Sequence, residues 1–186
     1  MFDRSIRHCR RCGTAVDQRL PDDGDTRVRA VCPACNTVHY VNPLIVVGTV
    51  PIWHDGRVLL CKRAIEPRHG KWTLPAGFME LDETTQAGAA RETDEEAGAQ
   101  IEIGPLFSLI NVSVAGQVHM FYRATLLSDC FSPGPESLEV RLFEESELPW
   151  DELAFSTVRM TLQHHFQDAR RGDFGFHHLD WTPSSP

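Results

Sequence analysis

The sequence predicts an α/β domain of enzyme size preceded by a small cross-linked module, and three observations carry that reading. Two Cys-x-x-Cys pairs lie within the first 40 residues, strand-like apolar runs begin at Leu44, and a proline-free, alanine-containing stretch with clustered glutamates runs from Thr84 to Ala97. The 186 residues, 41% hydrophobic, suffice for one good core and an appendage.

Residues 1–40 hold both cysteine pairs, several charges and only short apolar runs, too little core to fold unaided. Cys9-x-x-Cys12 and Cys32-x-x-Cys35, 19 residues apart, have the spacing of a four-thiolate zinc site built from two knuckles. Redox dithiols seldom come doubled at this spacing. Sulfur would fill all four tetrahedral positions, so this Zn²⁺ is expected to be structural and to leave no position for substrate. His8 and His39 flank the knuckles and are expected to be ordinary surface residues. Cys61 follows Val58-Leu59-Leu60 and reads as a small buried hydrophobe; neither Cys61 nor Cys130 is assigned a role.

A second unit is expected over 41–170. Leu44 to Trp53 is an Ile/Val-rich strand, Asp55-Gly56 a hairpin turn, and Arg57 to Arg63 its antiparallel partner. Ala64 to Lys71 reads as a loop, Trp72 to Leu74 as a short strand, and Ala76-Gly77 as a turn leading to the helix. Gly98 stands where a C-cap glycine belongs. Further strands are expected at Gln100–Ile103, Leu106–Val114, Gln117–Leu127 and Leu138–Phe143, the last preceded by the Ser132-Pro133-Gly134-Pro135 loop. A second helix spans Ser156 to Arg170, with Ser156 or Thr157 as N-cap. Residues 171–186 turn to Gly, Pro and Ser and are expected to be a loosely held tail.

Charge and hydropathy narrow the partners. A net charge of -8 and a pI near 5.5 disfavour a nucleic-acid polymer, which needs a basic face. No apolar run is long enough to cross a bilayer and the N-terminus lacks signal-peptide order, so a cytoplasmic protein without a membrane partner is expected.

The chemistry concentrates between Gly77 and Ala99. Glu92, Glu95 and Glu96 stand at i, i+3 and i+4 and project from one helical face, where their mutual repulsion calls for a divalent cation. Oxygen ligands suit Mg²⁺ or Mn²⁺. Acidic runs are usually solvated faces, but here Gly77, Glu83 and Arg91 precede the run at fixed distances.

That arrangement, a glycine, five residues, Glu83, seven residues, then Arg91-Glu92-Thr93-Asp94-Glu95-Glu96-Ala97-Gly98-Ala99, resembles the Nudix box at all seven fixed positions. Chance would produce this roughly once in 10⁸ to 10⁹ windows. Thr93 and Ala99 depart from it, standing where bulkier aliphatic residues are usual. Arg57-Val-Leu-Leu-Cys-Lys-Arg63, Gly70-Lys-Trp-Thr-Leu-Pro-Ala-Gly-Phe78 and Pro133 to Phe143 are similar to zinc-ribbon Nudix members, a bacterial group related to the plant chloroplast FAD and ADP-ribose pyrophosphatase. The resemblance covers about residues 5 to 165. It implies an α/β/α sandwich on a mixed sheet behind the small zinc ribbon, and cleavage of the diphosphate linkage of FAD or ADP-ribose by metal-activated water, releasing AMP.

By the same resemblance Glu92 and Glu96 are metal ligands, Glu95 a further ligand or a supporting carboxylate, and the Ala76 carbonyl faces the metal. Arg91 pairs with Glu83 to brace loop against helix. Glu139 is the expected distal carboxylate, with Glu136 as the fallback. Trp72 and Phe78 are candidates to stack on a base or flavin ring, although aromatics beside strands more often belong to the core. Arg63, Lys62 and Arg123 are candidates for phosphate contacts; His119 reads as a strand residue. A homodimer is expected by analogy with relatives that cleave ADP-ribose.

Two other readings compete. An NADH pyrophosphatase also joins a zinc ribbon to a Nudix domain, but that family's Ser-Gln-Pro-Trp-Pro-Phe-Pro motif is missing from Ile101 to Val114. A non-catalytic nucleotide-binding or protein-binding module is opposed by the complete set of Glu83, Arg91, Glu92, Glu95 and Glu96.

Overall fold

The computed structural model describes residues 5–183. The chain divides into two compact units, Met1–Pro43 and Leu44–Pro186.

In the first unit, strands β1 (Asp17–Arg19), β2 (Arg29–Val31) and β3 (Val38–His39) form an antiparallel sheet. The same turn is built twice. Cys9 N–H donates to Thr14 O and Gly13 N–H to Cys9 O; Cys32 N–H donates to Thr37 O and Asn36 N–H to Cys32 O. Gly13 and Asn36 both take positive φ, +75° and +54°, which glycine and asparagine tolerate best. Ala30, Val31, Cys9 and Cys32 are nearly all this unit buries. His39 is buried opposite Ala30 rather than on the surface, because β2 and β3 pair there. His8 is exposed.

The second unit is one mixed sheet of eight strands with a helix on each face. Its order is β10-β5-β4-β9-β8-β11, with β6 (Trp72–Thr73) against β5 and β7 (Ala76–Phe78) against β4. β4 (Leu44–Ile52) and β5 (Val58–Arg63) form the expected hairpin, turned at Gly56 with φ +91°. β4 runs parallel to β9 (Gln117–Leu126), and β10 (Ser137–Phe143) lies antiparallel to β5. The two strands expected across 100–114 are one, β8 (Ile101–Val112), with register shifts around Gly104-Pro105. Glycine and proline break the ladder there without ending the strand.

Alternation along the strands assigns the two faces. Leu59 and Cys61 pack with Ala97 at the end of α1 (Thr85–Ala97), while Val58 and Leu60 pack with Val158, Leu162 and Phe166 of α2 (Ser156–Arg171). Tyr122 packs with Ala89 on the α1 face and donates to or accepts from the Thr85 hydroxyl at 2.6 Å; Phe121 lies on the α2 face. Thr84 caps α1 by accepting the Ala87 N–H, and Gly98 closes it at φ +56°. α2 has no side-chain N-cap; Phe155 occupies that position, and the Thr157 hydroxyl is spent on His119 Nδ1.

The expected loose tail is ordered through 180. After Gly172, residues His177–Asp180 form β11, parallel to β8. Buried Asp168 anchors this segment, its Oδ2 3.2 Å from the Gly175 N–H and 2.7 Å from His177 Nε2. Among the described residues no helix is long and apolar enough to cross a membrane.

Candidate active site

β7 replaces the turn expected at Ala76-Gly77, and it sets the site. Gly77 lies opposite Val47 of β4 and directly under the Glu92 carboxylate; a Cβ there would sit 2.4 Å from Glu92 Cδ and from both oxygens. Gly48 lets β7 approach, since its own Cβ would lie 2.4 Å from that of Ala76. Strand and helix therefore meet at a contact that only glycine allows.

Arg91 ties the carboxylates together. It donates from Nε and Nη2 to the two oxygens of Glu83 at 3.1 and 2.9 Å, from Nη1 to Glu92 at 2.8 Å and Glu95 at 2.9 Å, and from Nη2 to Phe78 O at 3.3 Å. Glu83 also accepts the Glu80 N–H and seats against Gly88, where a Cβ would be 2.6 Å from its oxygen. This bidentate, charge-assisted bracing of loop on helix has the geometry expected of Glu83 and Arg91.

Glu96 is only 7% exposed and accepts the Ala76 N–H at 3.1 Å. Burial pushes its carboxyl up to about 7, with Glu92 and Glu136 adding repulsion and Arg63 opposing it. Glu92 is raised as well, chiefly by burial, partly offset by Arg91. Glu95 is more open. Two desolvated carboxylates and a neighbouring third, with Arg91 bonded to Glu92 and Glu95 and Arg63 acting on Glu96 only through its charge, form a site short of positive charge. The box carboxylates do not converge on one point as the cysteines do.

The α1 packing explains the unusual Thr93. Its hydroxyl donates to Ala89 O and shares a 2.7 Å hydrogen bond with Thr49 of β4, both side chains fully buried. A matched hydroxyl pair stands in for an aliphatic contact while satisfying both polar groups.

The structure separates the remaining candidates by face. Glu139 lies opposite Lys62, 3.9 Å from its Nζ, and Lys62 lies over Trp72 in the α2-face core. Glu139 is thus on the wrong face of β10, while Glu136 repels both Glu92 and Glu96. Of the two acidic residues expected near this position, Glu136 is the one whose charge reaches the box. Gly134 seats its loop on the α1 backbone, donating to Glu96 O at 3.1 Å, with no room for a Cβ beside Glu95 O.

Trp72 is 6% exposed and meets Phe143 edge to face, so it is core. Arg123 shares the α2 face with Phe121 and stacks on Phe174. Arg63 and Phe78 stay with the box: Arg63 acts electrostatically on Glu96, its Nε held by Pro67 O, and Phe78 is half exposed beside Arg91. His119 is a half-buried strand residue, its imidazole pushed down to about 4 by desolvation and bonded to Gln117 and Thr157.

In the first unit the Sγ atoms of Cys9, Cys12, Cys32 and Cys35 all lie within 4.8 Å of one another, with separations of 3.5 to 3.6 Å along three edges. A tetrahedron with bonds of about 2.3 Å to zinc has edges of about 3.8 Å, so the four sulfurs fit that ion. The Thr37 hydroxyl and backbone lower Cys35 to about 6 and Thr14 lowers Cys12, both favouring thiolate, while burial raises Cys32 to about 11, a cost that a bound cation would offset; the Arg11 N–H donates to Cys9 Sγ.

These two centres, a tetrathiolate cluster and an acidic helix seated on a glycine strand, match known families. The NUDIX domain model matches residues 43–166, and the Nudix N-terminal zinc-ribbon model matches residues 7–41. The chain belongs to the NUDIX domain family. A NUDIX hydrolase from Nitrosomonas europaea, known from a crystal structure, is 48% identical with a TM-score of 0.90, covering 95% of this chain and 99% of that one. NAD-capped RNA hydrolase NudC of Vibrio atlanticus (strain LGP32) is 25% identical over 95% of this chain and 64% of its own length. The ADP-ribose pyrophosphatase of Methanocaldococcus jannaschii is 29% identical over 62% of this chain and 69% of its own. The chain spans 48%, 64% and 51% of the length of the first three curated relatives it matches.

Proposed function

We propose that the protein hydrolyses the diphosphate bridge of a nucleoside diphosphate derivative, FAD or ADP-ribose, releasing AMP, with Mg²⁺ or Mn²⁺ at the box. The seating of the Glu92 carboxylate on Gly77 beside buried Glu96 carries this reading. Glu92 and Glu96 would hold the divalent ion, with Glu95, Glu136 and the Ala76 carbonyl as further oxygen donors. Hard oxygen donors fit these ions. The bound ion would supply Lewis acidity towards the bridging phosphates and towards water. Arg91 fixes the carboxylates and is braced by Glu83, Arg63 donates to a phosphate oxygen, and half-exposed Phe78 offers a ring face to the base or flavin. Zn²⁺ on the four cysteines would serve folding alone.

A second reading, cleavage of a nicotinamide dinucleotide, free or as an RNA cap, is favoured by similarity to an NAD-capped RNA hydrolase over nearly the whole chain. It is opposed by the missing proline-rich motif after the box. A panel of FAD, ADP-ribose, NADH and a diadenosine polyphosphate, assayed for AMP or phosphate release with Mg²⁺ and Mn²⁺, decides between them. Faster release from NADH favours the second reading; no turnover of any by folded protein overturns both.

A further inference from the structure

Arg123, set apart from the box by the fold, buries a side-chain donor that finds no acceptor among the described residues. A guanidinium carries five N–H donors. Among the described residues the Arg123 side chain makes no hydrogen bond or ion pair, and its Nε is buried without a partner. One face of the group is covered by the Phe174 ring, 3.4 Å from its centroid. Asp168 attracts it from a distance, but Asp168 Oδ2 is already committed to Gly175 and His177. Buried polar groups in native proteins are paired, so an orphaned donor of this strength needs an acceptor from outside the chain.

The surroundings supply room for one. A cleft of about 110 Å³ is lined by Arg123, Thr125, Ile52, Ala124, Gly104 and Pro105. The irregularity of β8 at Gly104-Pro105 shapes its rim; register with β9 is lost between Ile103 and Leu106. Arg123 and Thr125 alternate on β9 and so point from the same face. At about 30 Å³ per water, the cleft holds a few waters or one phosphate-sized group, well short of the 300 Å³ or more of a nucleotide-sized pocket.

We propose that Arg123 and Thr125 form a binding site for a small oxyanion, a phosphate or a carboxylate, on the α2 face, remote from the box. Guanidinium and hydroxyl donate to the same anion, and Phe174 covers one face of the cation and shields it from water on that side. The site is independent of diphosphate hydrolysis, so it is tested without turnover.

Inorganic phosphate and acetate are titrated calorimetrically into the full chain without added divalent cation, at ionic strength fixed with chloride. In parallel, the Arg123 Nε–H resonance is followed by NMR. Saturable binding of either anion is expected, with a shift of that resonance. Arg123→Gln should weaken it at least about tenfold and Thr125→Val less, while Arg57→Gln, at an arginine paired with Asp55 on the hairpin, leaves it unchanged. Thr125→Val and the Nε–H shift keep the test decisive if Arg123→Gln folds poorly. Absence of binding by both anions, binding by the Arg123 and Thr125 variants equal to the parent's, or loss of binding in Arg57→Gln overturns the proposal.

Discussion

The four cysteines of the first unit and the glutamates of the box both gather negative charge for a metal, yet they are built in opposite ways. The sulfurs lie 3.5 to 3.6 Å apart along three edges, positioned by two copies of one turn. The carboxylates are spread, partly buried, and held off one another by Arg91. A closed thiolate set can do nothing but fold the chain, whereas a spread carboxylate set keeps room for substrate oxygens. The sequences differ accordingly: the ribbon has almost no apolar core beyond its ligands, while the box helix rests on a complete one.

The sharpest break of this comparison is removal of zinc. Stripping the ion, or Cys35→Ser, should unfold residues 5–43 and leave the second unit folded, because structural zinc sites supply on the order of 10 kcal/mol or more to small modules. NMR dispersion of the two units checks it, and a metal-free ribbon that keeps its dispersion would contradict it. In the box, Glu96→Gln should preserve the fold and cost about a hundredfold or more in turnover. Glu136→Gln should cost less, and Glu139→Gln should fall within about twofold of the parent, as a surface pair to Lys62 contributes little.

The pH dependence follows from Glu96. Its folded carboxyl sits at about 7, above its ordinary 4.5, so the metal-free native state holds a proton that the unfolded chain releases. Stability of the metal-free protein should therefore fall as pH rises from about 4.5 through 7, by on the order of 3 kcal/mol. A divalent ion compensates the exposed charge, so Mg²⁺ should raise Tm more at pH 8 than at pH 5.5. Equal shifts at both pH values would show that Glu96 does not face the ion. Gly77→Ala, whose methyl group must displace Glu92, should cost about 1 to 3 kcal/mol of stability together with part of the metal affinity.

Much of this was legible in sequence because its signals are local. The cysteine spacing, the helical i, i+3, i+4 glutamates and the Gly98 cap each depend on neighbours within one element, and each element stands where expected. What failed depends on which face of a strand a residue takes after a bulge. Glu139 is two residues beyond Ser137, with a register shift between them, and that irregularity turns it towards Lys62. Arg123 and Trp72 depend on strand parity in the same way: their chemistry suits a substrate, but alternation places them on the α2 side. Thr93 looked like a defect until Thr49, 44 residues away, supplied its partner. The tail composition hid β11, whose anchor, Asp168, lies on a helix that ends before it.

That last strand also determines how the protein can be shortened. β11 covers Ser108 to Asn111 along the β8 edge. Cutting the chain after Gly172 would bare a ladder of unpaired backbone groups on a long strand, a template for other copies to add to. The segment that composition marks as dispensable is therefore the one whose removal should turn a dispersed protein into a self-associating one.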